Sequence, residues 1–184
     1  IPSDFFRTGF NDRKWDNIPV PSNWEMQGFG EPLFRNMTTP FPNSIPATMR
    51  DSLQKIVDGR IPASDMQKRR AQYQLSGVSS DPFAVEVPGV PEFNPTGAYR
   101  TSFTVPSSWK GDRIFLRLEK VASASFIWIN GQQVGYNEGA QEPAEYDITE
   151  YVKPGKNSLS VLVLKYSDGY YLETQDYWRL AGIF

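Results

Sequence analysis

Apolar and polar residues alternate with a period of two through much of the second half of the chain. In "GAYRTSFTV", Tyr99, Phe103 and Val105 stand against Arg100, Ser102 and Thr104, with Thr101 breaking the apolar set. In "DRIFLRLEKV", Ile114, Leu116 and Leu118 alternate with Arg113, Arg117 and Glu119, and Phe115 falls on the polar side. A period of two is the repeat of a strand, whose successive side chains point to opposite faces. "SFIWINGQQVGYN" predicts a hairpin, because Asn130-Gly131 accepts the positive φ that both central positions of a type I′ turn require. Phe126, Ile127, Trp128 and Ile129 are apolar on both faces, and "NSLSVLVLKYS" is another such strand, so both are expected in central positions. Between them "AEYDITEYVKPGKN" carries a turn at Pro154-Gly155.

The first half follows other rules. Pro19, Pro21, Pro32, Pro40 and Pro42 lack the amide hydrogen that helices and central strands use, yet Trp15, Trp24, Phe29 and Phe34 are too bulky for a disordered tail. This predicts an ordered, loop-rich segment packed by aromatics, with one or two short strands. In "PATMRDSLQKIVDGR", Met49, Leu53, Ile56 and Val57 recur at helical spacing, with Gly59 as the stop. A second helix is expected in "PASDMQKRRAQYQL", with Pro62 near its start, Ser64 or Asp65 as its cap, and Met66, Tyr73 and Leu75 as a weak stripe. Short strands with regular turn signals predict an all-β antiparallel sandwich with extra cover on one face. Residues 1–42 and 88–184 would form it, with 43–87 as a small helical insertion or, alternatively, a disordered loop. A parallel α/β sheet would need helices between the strands, and this half of the chain has none.

Composition narrows the chemistry. The chain has 184 residues, 39% hydrophobic and 14% aromatic, enough for one domain with a real core. A net charge of −2 gives no basic field for nucleic acid or an anionic membrane, and no apolar run approaches a transmembrane helix. Cysteine and histidine are absent, which excludes disulfides, Ser-His and Cys-His pairs and histidine metal sites within this chain. The first residue is Ile1, so a missing signal peptide carries no information about location, cytoplasmic or periplasmic. Carboxylates remain. A glycosidase needs two of them, but Glu173 and Asp176 in "SDGYYLETQDYWRLAGIF" lie three apart, which on a strand would turn them to opposite faces. The acids of "NEGAQEPAE" read as solvated, "GFGEP" lacks the spacing of a phosphate loop, and "NMT" from Asn36 to Thr38 matches a glycosylation acceptor. The five tryptophans are read as core rather than as sugar platforms.

Four stretches in order, "WDNIPVPSNWEMQGFGEPLFRN", "NPTGAYRTSFTVP", "FIWINGQQVGYNEGAQEPAEYDIT" and "SDGYYLETQDYWRLAGIF", closely resemble the N-terminal sugar-binding domain of glycoside hydrolase family 2 β-galactosidases. The resemblance covers most of the chain outside 43–87, and "QDYWRLAGIF" is its most specific part. It implies a jelly-roll sandwich similar to galactose-binding domains, followed by an immunoglobulin-like domain and a (β/α)₈ barrel that holds the catalytic glutamates. No catalytic residue is then expected here, the chain alone should be inactive, and its apolar end would feed the next domain. Asn36 matches an asparagine that reaches into the galactose subsite. Asp176 matches an aspartate that contacts the galactosyl hydroxyls and helps hold a sodium ion; magnesium belongs to the barrel. Glu173 is left as structural, stabilising the turn. The implied partners are a galactoside, the remaining domains of the same polypeptide and further copies in a homo-oligomer, with no nucleic acid and no membrane. Relatives join "TTPFP" to "VPEFNPTG" by a short link, whereas here 43–87 intervenes shortly after Asn36. An autonomous carbohydrate-binding module and a structural or oligomerisation domain stand as alternatives.

Overall fold

The computed structural model describes residues 1–30, 32–34, 47–65, 67–68, 71, 94–167, 169, 173 and 178–184. Four strands form the main antiparallel sheet: β3 (Thr96–Val105), β6 (Ala124–Ile129), β7 (Gln132–Asn137) and β9 (Gly155–Leu164), in the order β3-β9-β6-β7. The two strands that are apolar on both faces, β6 and β9, take the central positions. A second layer is built from β1 (Ser22–Asn23), β11 (Gly182–Ile183) and β5 (Val121–Ala122), in the order β1-β11-β5, and from β4 (Phe115–Leu118) paired with β8 (Ala144–Asp147). A last pair joins β2 (Leu33–Phe34) to β10 (Trp178–Arg179). Every pairing is antiparallel.

The core lies between the two layers. Ile127 and Ile129 of β6 and Val161 and Val163 of β9 meet Val121, Tyr146, Ile148, Ile183 and Trp24. Tyr99 and Phe103 of β3 and Leu116 and Leu118 of β4 pack at its margin, as the period-two pattern requires, while Phe115 remains exposed. The β6–β7 hairpin turns at Asn130 (φ 51°) and Gly131 (φ 84°), the positive pair expected of this dipeptide. Its register shifts between Ile127 and Trp128, where β7 carries one extra residue. Asn157, buried in β9, holds the turn before it: its amide donates to the carbonyls of Lys153 and Gly155, and its oxygen accepts from Lys153 N and from Asn130 Nδ2.

The extra cover on the outer face of the main sheet comes from the N-terminal segment. The Phe6 ring stacks on Trp128 at 5.3 Å, Phe5 meets Trp128 edge-on at 5.4 Å, and Trp15 stacks on Phe5. Arg100, a polar position of β3, is the tether. Its guanidinium donates to the carbonyls of Phe5 and Arg7 and to Asp12 Oδ2 at 2.9 Å. The tryptophans divide: Trp24 is buried, Trp15 and Trp128 are half-buried, but Trp109 and Trp178 are exposed, against the core reading of all five. Phe29 is exposed as well.

A helix, α1 (Ala47–Val57), forms at the predicted place with Leu53 buried, and Gly59 (φ 73°) follows it. The next helix begins after Ser64, which resolves the choice of cap. Ser64 Oγ accepts from Gln67 N at 3.3 Å and Gln67 Oε1 accepts from Ser64 N at 2.8 Å, a reciprocal capping box. The side chains of Met49 and Met66, and residues Tyr73 and Leu75, lie outside the described residues, as do both ends of the 43–87 segment.

Two outcomes follow from the core. The Tyr146 ring lies so close against Gly135 that a Cβ there would overlap its carbons. Gly135→Ala is expected to cost about 1–3 kcal/mol in urea unfolding. The Tyr99 hydroxyl is buried with no hydrogen-bond partner among the described residues. Burial, and secondarily the charge of Glu25, pushes it from 10.0 up to about 12. The folded state therefore keeps this proton between pH 10.0 and about 12 while the unfolded chain has lost it, so stability falls as pH rises through that window. Tyr99→Phe is expected to lessen that slope and, by removing an unpaired hydroxyl, to leave neutral-pH stability equal or higher by up to about 1 kcal/mol.

Candidate functional site

The segment that carries the most specific sequence motif leaves β9 at Lys165 and returns to the sandwich at β10 and β11. Its base is closed by a carboxylate from the other end of the chain. Trp24, buried in the core, donates its N–H to Ala181 O at 3.0 Å and leads into a single 3₁₀ turn, Glu25–Gln27, which stops at Gly28 (φ 88°). This places Glu25 inside the protein, its side chain 0% exposed. Both its oxygens accept from Ala181 N, at 3.2 and 3.0 Å, and Oε1 pairs with Lys165 Nζ at 2.7 Å. The Lys165 side chain is 4% exposed. Burial of a charge costs far less when it is paired and hydrogen-bonded, as both side chains are here.

Further groups gather around this pair. Arg179, the second residue of β10, is fully buried. Tyr166 is held by Asn94, whose side chain both donates to Tyr166 O at 2.8 Å and accepts from Tyr166 N at 2.9 Å, the pattern of a strand neighbour. Burial pushes the Tyr166 hydroxyl up; Arg179 pulls it back and Glu25 adds to the rise. Tyr166 also packs with Ala122, Ala140 and Phe184 in a small second apolar cluster.

Two more ties join described residues between Lys165 and Ala181 to the rest of the fold. Glu173 Oε2 accepts from Ala140 N at 2.7 Å. The structural role expected of Glu173 takes the form of a bond to a loop 33 residues away. Beside it, Gly169 lies against the backbone of Glu138, where an added Cβ would come within 3.2 Å of the carbonyl oxygen. The acids of that loop fit their solvated reading in part. Glu142 and Glu145 are exposed, while Glu138 is half-buried and accepts from the Tyr136 hydroxyl at 2.6 Å. The third tie is the β2–β10 ladder, which sets Trp178 opposite Phe34 and Arg179 opposite Leu33.

Asn36 and Asp176, the two site residues drawn from the family pattern, lie outside the described residues. Each is two positions beyond the Phe34–Trp178 pair. Among the described residues no three His, Cys, Asp or Glu side chains stand together as metal ligands. What the described residues assemble is a buried ion pair, a clasp on the Ala181 backbone and a carboxylate tie to the Ala140 loop. Periodicity missed all of it. The available signal was a charge inside an apolar run, as in "NWEMQ", "VLVLKYS" and "YWRLAGIF".

Comparison with known proteins agrees with this layout. The model of "Glycosyl hydrolases family 2, sugar binding domain" matches residues 60–184. A β-galactosidase of Priestia megaterium is 35% identical over 181 residues, covering 98% of this chain and 14% of that protein. A β-galactosidase of Vibrio cholerae is 37% identical over 175 residues, covering 95% of this chain and 13% of that protein. A solved structure of Bacteroides uniformis β-glucuronidase 2, covalently bound to cyclophellitol-6-carboxylate aziridine, superposes with a TM-score of 0.60 at 20% identity, covering 100% of this chain and 15% of that one. This last likeness shows a shared fold. The chain thus spans about one seventh of the length of the curated relatives it matches, 14% for the first. On the family match over most of its length, the chain belongs to glycosyl hydrolase family 2, as that family's sugar binding domain.

Proposed function

We propose that this domain completes the galactoside subsite of a β-galactosidase, lending Asn36 and Asp176 to a pocket whose other wall and catalytic carboxylates belong to further domains of the same polypeptide. The observation that carries the reading is the β2–β10 pairing. Phe34 and Trp178 are partners, so Asn36 and Asp176 each lie two positions along the chain from the same rung of that ladder. The bonds of Glu173 to Ala140 N and of Glu25 to Ala181 N support it, since Glu173 and Ala181 flank Asp176 in the sequence. The chemistry suits a neutral sugar. An amide donates and accepts at once, and a carboxylate forms charge-assisted bonds about twice as strong as neutral ones. Asp176 is also a hard oxygen donor of the kind a sodium ion takes; its co-ligands, and any magnesium of the barrel, would come from outside the described residues. The reaction of the intact enzyme would be retaining hydrolysis, with one carboxylate as nucleophile and one as acid and base.

A groove of about 540 Å³ favours a second reading, an autonomous carbohydrate-binding module. It runs between β3 and the 12–20 segment, and Asp12, Trp15, Asp16, Asn17 and Arg100 line its polar side. An aromatic ring beside carboxylates and an amide is a set that can hold a sugar face and its hydroxyls.

In the intact polypeptide, Asp176→Ala is expected to lower kcat/KM for a galactoside about tenfold to a hundredfold, the loss of a contact worth about 1.5–3 kcal/mol. Native kinetics in a folded variant would reject the subsite. Titration of the 184-residue chain with galactose and lactose in a calorimeter tests the second reading. Heat that disappears in Trp15→Ala would support the module; a flat trace removes it.

A further inference from the structure

We infer that the groove beside β3 is a site for a small organic cation, an amine on an aryl or alkyl body, with the body on the groove floor and the charge at its mouth. The inference goes beyond both readings above and depends on neither. The groove, about 540 Å³, falls within the size of small-molecule pockets, roughly 300–1,000 Å³. Its floor is the open margin of the sandwich core. Ile18, Tyr99, Leu118 and Leu159 are half-buried against that core, and Val161 and Ile183 belong to it. The one hydroxyl on this floor, that of Tyr99, is itself buried. A ligand hydroxyl placed there would give up water without gaining a partner, whereas an apolar body gains from leaving water.

The charges at the mouth select the head group. Asp12, Asp16 and Arg100 stand there. Arg100 is already engaged. Its side chain is 9% exposed, it pairs with Asp12 at 2.9 Å, and it donates to the carbonyls of Phe5 and Arg7. The Asp12 side chain is 44% exposed, and Asp16 is exposed with no hydrogen bond or ion pair among the described residues. Arg13 and Lys14 neighbour Asp16 in the sequence but do not line the groove. One carboxylate is therefore left facing water next to Trp15, whose ring is held by Phe5 at 6.4 Å and Phe10 at 5.4 Å. An aromatic ring and a carboxylate side by side attract a cation and repel an anion.

Phenylpropylamine, phenylpropanol and phenylpropanoate share one body and differ in head charge. Each is titrated by calorimetry into the intact polypeptide as native, Asp16→Asn and Ala98→Leu forms. The amine is expected to bind with a Kd on the order of 1 mM, about threefold to tenfold tighter than the alcohol, and the acid to give no heat of binding. Asp16→Asn changes an exposed side chain and is expected to bring the amine down to the affinity of the alcohol. Ala98→Leu puts a larger side chain on the β3 wall and is expected to abolish binding; if it does not fold, Asp16→Asn decides alone. An amine that binds no tighter than the alcohol, or binds Asp16→Asn as tightly as native, overturns the inference. A flat trace with the native form does the same, whether another domain closes the groove or the groove takes no amine. Galactose heat in the titration described above, together with no amine binding, leaves the groove to the sugar module. Amine binding without galactose heat removes the module and leaves this site standing.

Discussion

A carboxylate out of reach of water ties the two ends of this domain together. Glu25 sits in a short turn near the start of the chain, yet its partners, Lys165 and Ala181, belong to the last twenty residues. Removing either charge would take from the other a partner 2.7 Å away in the interior, a costly change for a buried ion. The arrangement therefore adds the end of β9 to two regions that the β1–β11 ladder already joins, the turn after β1 and the start of β11. Trp24 reinforces it from the core side through its own bond to Ala181 and its packing against Gly97.

Around this clamp the sandwich divides its work. The main sheet and the β4–β8 layer supply burial through Ile127, Ile129, Val161, Val163 and Tyr146. The shorter strands add little area and much geometry. β1, β11 and β5 seat the C-terminal end, and β2 with β10 brings two distant stretches alongside. The loop around Ala140 is drawn in by Glu173.

The sequence showed the platform more clearly than the placement. Alternation in β3 and β4 and two-faced runs in β6 and β9 predicted both existence and position, because burial of one face or two leaves a direct pattern. The turn at Asn130-Gly131 was legible for a local reason, its positive φ. Ser64 and Asp65 were equal candidates until the reciprocal bonds with Gln67 decided between them. Glu25, Lys165, Arg179 and the reach of Glu173 to Ala140 left no periodic trace, since a bond between residues 156 apart depends on the assembled fold. Asn36 and Asp176 came from likeness to a family, not from spacing. The exposure of Trp109 and Trp178 shows the limit of size as a guide: a large ring is buried only where the fold offers it a neighbour.

The N-terminal cover has a practical consequence. Phe5 and Phe6 lie against Trp128, one end of an aromatic row in which Phe126 stands 6.2 Å from Trp128 and 4.7 Å from the exposed Tyr136. Trimming the first sixteen residues would uncover Trp128 and lengthen the exposed row across two neighbouring strands. It would also strip the nearly buried Arg100 of its acidic partner, Asp12. A shortened polypeptide would keep its hydrophobic interior yet present a sticky flank, so solubility, rather than folding, is the property that sets where the start of this domain can be cut.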